Sequence, residues 1–411
     1  MKELSVSRRL IMTPGPTSVD PRVSRAMSAS ILGQFDPDFT TIMNETMTLI
    51  RQAFQTTNQW AFTIDGTSRA GLEAVVTSII SKGDSVLVPI FGRFGHLFVE
   101  LCERAGAEVH TIETEWGTVF DQETIIDEIE RLHPKVVALV HGETSTGRMQ
   151  PLDKIGPAIR KLGGFLVVDA VATFMGADFK TDDWQVDAVV GGAQKCLSIP
   201  SGITPITFND RFADAVNQRK RVEAGVRVSD DSVSENFISS NYFDLAQLMD
   251  YWSVRRLNHH TEATVMLYAI REGLRIALEE GLENRFNRHL FHQTAVKDSL
   301  RAMGFKIFGD SDHEMPNMTC VEIPEGVDGE VVRAFLLSNF GLEIASSFGP
   351  MHGKIWRIGS MGYVANQADI LNFLTIFAAT VNYFNMPNIQ TQTGLDYAIN
   401  YYRDQEILSE E

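Results

Sequence analysis

Between about Trp60 and Phe208 the chain alternates short apolar runs with stretches whose apolar residues recur at helical spacing. The runs predict buried strands at Ala61–Ile64, Val86–Ile90, Val109–Ile112, Val136–Val140, Phe165–Val168, Ala188–Val190 and Ile203–Phe208. The amphipathic stretches predict helices near Arg69–Ser81, Gly95–Ala105, Gln122–Leu132 and Lys154–Lys161, several followed by a glycine such as Gly83, Gly106 or Gly163, a residue that closes helix ends in the left-handed conformation. Strands and helices in this order build βαβ units, so the expected fold class is α/β with a mainly parallel seven-stranded sheet.

The flanks read differently. The Met12–Thr17 stretch, MTPGPT, is stiff and turn-forming and reads as an entry arm lying across a surface. A polar loop at Ser229–Asn241 leads to a long helix expected from near Thr261 to about Leu278, with Thr261 and Glu262 capping and charging its first turn. From about Arg288 the pattern changes to a helix, strands at Thr319–Ile323 and Ile355–Ile358, and further helices, which predicts a smaller α+β domain. The expected division is an N-terminal arm over 1–20, a large domain over 21–287 and a small C-terminal domain over 288–411, ending in an exposed acidic tail at Ser409–Glu411.

Charge and composition narrow the function. Lys and Arg number 36 against 53 Asp and Glu, a formal charge of −17, which disfavours nucleic-acid and anionic-membrane partners. Cys102, Cys196 and Cys320 lack metal-ligand spacing, and three thiols leave one unpaired in any disulfide scheme, as expected in a reducing compartment. There is no apolar run of signal-peptide or membrane-span length, and the default expectation is a cytoplasmic protein.

The common nucleotide signatures, G-x-x-x-x-G-K-[ST] and a strand-to-helix G-x-G-x-x-G, do not occur. Three other places carry chemistry. Asp65-Gly-Thr-Ser-Arg69 lies between a strand and a helix, where Gly66 permits close backbone approach and Thr67 and Ser68 add hydroxyls to the N–H groups of a helix start; a plain helix cap is the alternative. Asp169 ends the apolar run FLVVD, at the strand edge where open α/β sheets bind ligands; a structural capping acid is the alternative. Lys195 follows the run DAVVGGAQ, as either a solvated lysine or a desolvated amine suited to Schiff-base chemistry. An anion cradle, a carboxylate and a lysine together meet the needs of pyridoxal 5′-phosphate: its phosphate, its ring nitrogen and its aldehyde. Phe91 or Phe94 could pack on the ring, or either could belong to the core.

At this point the chain resembles the class V, fold-type I aminotransferases of the alanine–glyoxylate and serine–glyoxylate group. The landmarks are Thr13–Thr17 (TPGPT), Gly71–Glu73 (GLE), His141–Gly147 (HGETSTG), Val168–Ala172 (VDAVA), Gly192–Lys195 (GAQK), His259–Glu262 (HHTE) and Trp356–Gly359 (WRIG). The resemblance implies that Lys195 carries the cofactor and moves the reaction's proton, that Asp169 binds the ring nitrogen, and that Thr67, Ser68 and Gln194 hold the phosphate. It also places Thr144 near the ring oxygen, Phe91 on the ring face and Arg357 on the substrate carboxylate. Thr261 would reach the phosphate of a neighbouring subunit, giving a homodimer with shared sites. A metal site at His259 and His260 is the poorer reading, because adjacent residues on a helix face different ways. The family often has Ser-Gly-His or Ser-Gly-Thr where this chain has Thr67-Ser-Arg69, which leaves the part played by Arg69 open. A cysteine desulfurase shares the fold but needs a mobile-loop cysteine, whereas Cys320 lies in an expected strand. The other class of reading is a catalytically silent module on the same fold, against which the unbroken set of Asp169, Lys195 and Arg357 argues.

Two departures bear on the substrate. Asn258 stands where the alanine–glyoxylate enzymes typically carry tyrosine, and Gln34 stands in an early loop of unusual pattern. Both are amides, which offer the acceptor and donors that complement a ureido group; a helix-entry cap and a solvated loop amide are the plain alternatives. This pair resembles the ureidoglycine–glyoxylate aminotransferases of purine breakdown. The expected reaction passes the amino group of (S)-ureidoglycine to glyoxylate, with an alanine– or serine–glyoxylate aminotransferase as the alternative.

Overall fold

In a computed structural model, the fold is built around one large sheet and one small one. The structure describes residues 1, 3–229, 231 and 233–410, apart from the side chains of 405–410, so the exposure expected for the Ser409–Glu411 tail lies outside the described residues. The large sheet has strands β1 (Trp60–Gly66), β2 (Ser85–Ile90), β3 (Glu108–Glu113), β4 (Val136–Val140), β5 (Phe165–Asp169), β6 (Ala188–Val190) and β7 (Gly202–Phe208). Their spatial order is β1-β7-β6-β5-β4-β2-β3. β7 alone runs against its neighbours; the other six point one way. β4, β5 and β6 are buried along their whole length, which is why they read as unbroken apolar runs.

Helices α1 (Ser68–Ile79), α2 (Arg93–Arg104), α3 (Gln122–Leu132) and α4 (Ile155–Lys161) lie close to their expected places. Gly83, Gly106 and Gly163 have positive φ, as expected after helix ends, whereas α3 is closed by His133 at φ 48°. α5 (Thr264–Glu280) begins three residues after Thr261, with Ala263 rather than Thr261 at its cap. The cause is tertiary: the Asp65 carboxylate accepts the Ala263 N–H at 3.0 Å and holds the preceding segment away from helical geometry.

α6 (Leu282–Met303) runs unbroken through the expected boundary at 287/288. Near its start Arg285 donates to Met175 O of the large core, and near its end Val296 and Leu300 belong to a second core. In that second core the strand Ile355–Gly359 pairs antiparallel with Met318–Glu322 and with Ala345–Ser346. The entry arm joins both regions. Leu10–Ile11 pairs in parallel with Leu342–Glu343, and Met12 bonds Glu343 and Gly359 through its N–H and C=O. Further along, Thr17 donates from N–H to Gln194 O and from Oγ1 to Met361 O.

Candidate active site

Because six strands point one way, their carboxyl ends share one edge of the sheet. Thr67 and Ser68 follow β1, Phe94 follows β2, Thr144 follows β4, Asp169 ends β5 and Lys195 follows β6. All of these line one cavity of about 330 Å³, within the size range of small-molecule sites.

Lys195 is only 9% exposed. The arm lies on its stem: a Cβ on Gly15 would fall 2.6 Å from Lys195 Cδ, and Nζ donates to Pro14 O. Burial, followed by the charge of Arg357, brings the Lys195 amine down to about 8. Asp169 is pushed up to about 6, chiefly by burial and further by Glu143, against the Val171 N–H it accepts at 2.9 Å. A buried carboxylate with one N–H donor is under-satisfied, and a cationic N–H brought into the cavity would return it to the ionised form.

At the other end, Thr67 occupies the N-cap position of α1 without making a side-chain cap bond, so the helix start stays open toward the cavity. Ser68 Oγ lies 3.2 Å from Gln194 Oε1, which joins this helix start to the residue beside Lys195. Gly66 has φ 130°, and a Cβ there would fall 2.7 Å from Ala70 Cβ, so the close turn requires glycine. Open N–H groups and hydroxyls at one end, a lysine in the middle and an acid at the far end fit pyridoxal phosphate. Thr67, Ser68 and Gln194 would hold the phosphate, Lys195 the aldehyde carbon and Asp169 the ring nitrogen.

The aromatic wall differs from expectation. Phe91 is wholly buried in the large core, and Phe94 lines the cavity instead. The reason is the turn between them: α2 starts at Arg93, so its first turn presents Phe94 while Phe91 continues the inward side of β2. Glu143, which sequence reasoning left without a role, secures this arrangement. Its Oε2 accepts the Phe94 N–H at 2.8 Å, while Oε1 accepts the Ser145 N–H at 3.0 Å and Oγ–H at 2.6 Å. Ser145 Oγ in turn accepts the Arg93 N–H at 3.1 Å. Glu143 and Ser145 thus cap α2 from a distance, where Gly92 offers no side chain; a Cβ on Gly92 would lie 2.3 Å from Glu143 Cγ. Burial raises the Glu143 pKa and the three donors oppose that rise.

Arg357 is buried beside this turn. Its Nε donates to Ser346 O at 2.7 Å and Nη1 to Thr144 O at 3.0 Å, with the guanidinium 4.5 Å from the centre of the Phe348 ring. Its partners are backbone carbonyls, and burial lowers its pKa to about 10. Among the described residues its Nη2 makes no hydrogen bond, and a fixed guanidinium with one free N–H pair is suited to binding an anion.

Gln34, Asn258, Thr261 and Arg357 are not among the residues that line this cavity within the chain. The structure instead joins Gln34 and Asn258 to each other, Nε2 to Oδ1, at 3.0 Å across 224 positions. Thr261 and Asn258 are exposed, and Asp65, His260 and Glu262 gather beneath them. Nothing in the local sequence signals that cluster, because its members come from distant segments. Cys320 is buried in a strand, as expected.

Comparison with known proteins agrees with this geometry. The family model for class-V aminotransferases matches residues 22–356. The (S)-ureidoglycine–glyoxylate transaminase of Bacillus subtilis is 56% identical over 406 residues, 98% of this chain and 97% of that one. The crystal structure of ureidoglycine–glyoxylate aminotransferase from Bacillus subtilis superposes with a TM-score of 0.93 at 55% identity, covering 98% of this chain and 100% of the other. An alanine–glyoxylate aminotransferase of Callithrix jacchus is 32% identical over 90% of this chain and 87% of its own. With its strand-end lysine and acid on one cavity and this match across most of its length, the chain belongs to the class-V aminotransferases.

Proposed function

We propose that this aminotransferase works with pyridoxal 5′-phosphate and moves the amino group of (S)-ureidoglycine to glyoxylate, giving N-carbamoyl-2-oxoglycine (oxalurate) and glycine, within purine breakdown. The observation that carries the donor assignment is the Gln34–Asn258 amide pair. One hydrogen bond between two amides leaves one acceptor and one donor of the pair unused, whichever way the amides are assigned. Among the described residues, Gln34 Oε1 is buried without a partner. A ureido group supplies the missing N–H and the complementary C=O, whereas the methyl group of alanine would leave both amide atoms unpaired. The 56% identity with the Bacillus subtilis transaminase supports the same reading.

Because the amide pair and Thr261 lie outside the chain's own cavity, the reading requires a homodimer in which they complete the partner's site. Exposed Ile31, Phe35 and Val254 flank the pair and support an apolar contact there. When bound, the cofactor supplies an electron sink for the bond broken at the substrate α carbon. Lys195 Nζ, poised near 8 by burial, takes the proton from the donor's α carbon and delivers one to the α carbon of the glycine being formed. Asp169 holds its negative charge against the ring nitrogen. Arg357 binds the carboxylate that donor and acceptor share, so one clamp serves both half-reactions. Phe94 and the entry arm exclude water from the lysine.

Mixing the yellow holoenzyme separately with fresh ureidoglycine, alanine and serine, without acceptor, tests the reading by loss of visible absorbance. Fast bleaching by ureidoglycine alone is expected. Equal or faster bleaching by alanine or serine would transfer the enzyme to that donor, and a purified protein that takes up no chromophore would overturn the cofactor assignment.

A further inference from the structure

The segment from Arg256 to Ala263, which carries Asn258 and Thr261, has no regular secondary structure. Side chains anchor it instead. His259 Nε2 lies 3.0 Å from Asn241 O, and its Nδ1 lies 2.8 Å from His260 Nδ1. His260 Nε2 lies 3.3 Å from Asp65 Oδ2 and 3.7 Å from Glu262 Oε2, while Asp65 also takes the Ala263 N–H. Tyr242 and Tyr251 pack on the His260 ring, at 5.4 and 4.9 Å between centres. The Glu262 side chain is 1% exposed. Exposed Asn258 and Thr261 therefore ride on a buried acid.

Proton accounting shows how that acid is tolerated. Among the described residues, both Glu262 oxygens, Asp65 Oδ1 and Tyr251 Oη are buried without a hydrogen-bond partner. A proton on Glu262 would relieve the repulsion between the two facing carboxyl groups and give an O–H for Asp65 to accept, while the Tyr251 O–H can donate to Glu262 in either state. Burial, then the facing Asp65 carboxylate, hold Glu262 well above the usual carboxylate range. The other titratable or charged groups toward the cluster are His259, His260, Tyr242 and Tyr251, with Arg256 beyond Tyr251.

We propose that the Asp65–His260–Glu262 cluster is a positioning device that fixes Asn258 and Thr261, and through Asn258 sets amino-donor selectivity. The selectivity part rests on the ureido reading of Asn258 given above. Glu262 and Asp65 are positioning residues, since they act through the segment they anchor.

The test compares Glu262→Ala, Asp65→Ala and Glu262→Gln in the holoenzyme. In the alanine variants the ratio of kcat/KM for ureidoglycine to that for alanine should fall about tenfold or more, through KM rather than kcat, and pyridoxal phosphate should leave faster because Thr261 is displaced. Glu262→Gln should keep both properties within about threefold of wild type, since a neutral amide can donate to Asp65 and accept from Tyr251. The wild-type ratio should fall at alkaline pH as Glu262 loses its proton, while Glu262→Gln stays flat. This comparison stands even if an alanine variant fails to fold.

Folded alanine variants with the wild-type ratio and cofactor release, a Glu262→Gln as impaired as Glu262→Ala, or matching pH profiles would overturn the proposal. So would loss of selectivity on EDTA treatment with recovery on Zn²⁺, which would put a metal where the proton is placed. A wild type with no preference for ureidoglycine would reject the donor assignment instead; cofactor release would then decide on the cluster alone.

Discussion

Truncation of Glu143 isolates the remote cap of α2. In Glu143→Ala the Phe94 and Ser145 N–H groups lose a shared carboxylate acceptor at 2.8 and 3.0 Å. Each bond to a charged acceptor contributes about 1.5–3 kcal/mol, and removing a buried charge returns part of the loss, leaving a net cost of about 2–4 kcal/mol. Unfolding entropy of roughly 2 cal/mol/K per residue gives a cooperative chain of this length about 0.9 kcal/mol/K, so Tm should fall by about 2–5 °C. Cofactor should also dissociate faster, because the loosened turn carries the Phe94 wall. Thermal melts at matched cofactor saturation, with dissociation followed by absorbance, measure both effects. Glu143→Gln is the decisive partner. Both oxygens of Glu143 accept, so an amide can serve only one side and sets its NH₂ against a donor on the other. It should therefore be nearly as impaired as alanine. A Glu143→Gln protein within about 1 °C of wild type, with unchanged cofactor release, would refute the reasoning.

Further tests follow from other parts of the site. Only a neutral amine attacks an aldehyde, so cofactor uptake by the apo-protein should rise with pH and level off above about 8; a midpoint near 10.5 would place the amine in solvent. Because the folded Lys195 releases its proton near 8 and the unfolded one near 10.5, apo-protein stability should rise across that interval relative to Lys195→Met, as read by denaturant melts. Gln34→Ala should lower kcat/KM for ureidoglycine by about 10- to 100-fold, equivalent to roughly 1.4–2.7 kcal/mol, and leave alanine turnover nearly unchanged; equal losses for both donors would remove Gln34 from recognition. Gly359→Ala would set a Cβ 2.2 Å from Thr13 O. It should free the arm to limited proteolysis before Thr17 and move the Lys195 titration back toward 10.5.

The sheet was readable because buried parallel strands leave few polar positions in their runs, and the places of Asp169 and Lys195 were readable because the first ends such a run and the second follows one within a few residues. The exchange of Phe91 for Phe94 turned on where α2 begins, a boundary fixed by Glu143 from another loop. One continuous helix spans 287/288 and makes contacts to both cores, so the change of pattern there does not end an element. Asp65 stands near the end of β1 and Glu262 in an irregular segment nearly two hundred positions on, so only tertiary structure unites them. Thr261 looked like a helix cap because its residue type favours that place, and a contact made by Asp65 moved the helix start past it.

The stitching of the entry arm also bears on biosynthesis. Residues 12–17 leave the ribosome well ahead of Glu343, Gly359 and Met361, the residues they bond. A chain stalled before Leu342 lacks the bonds to Glu343, Gly359 and Met361 that help hold the arm over Lys195. Completion of the lysine's surroundings therefore follows synthesis of the small sheet rather than of the large one.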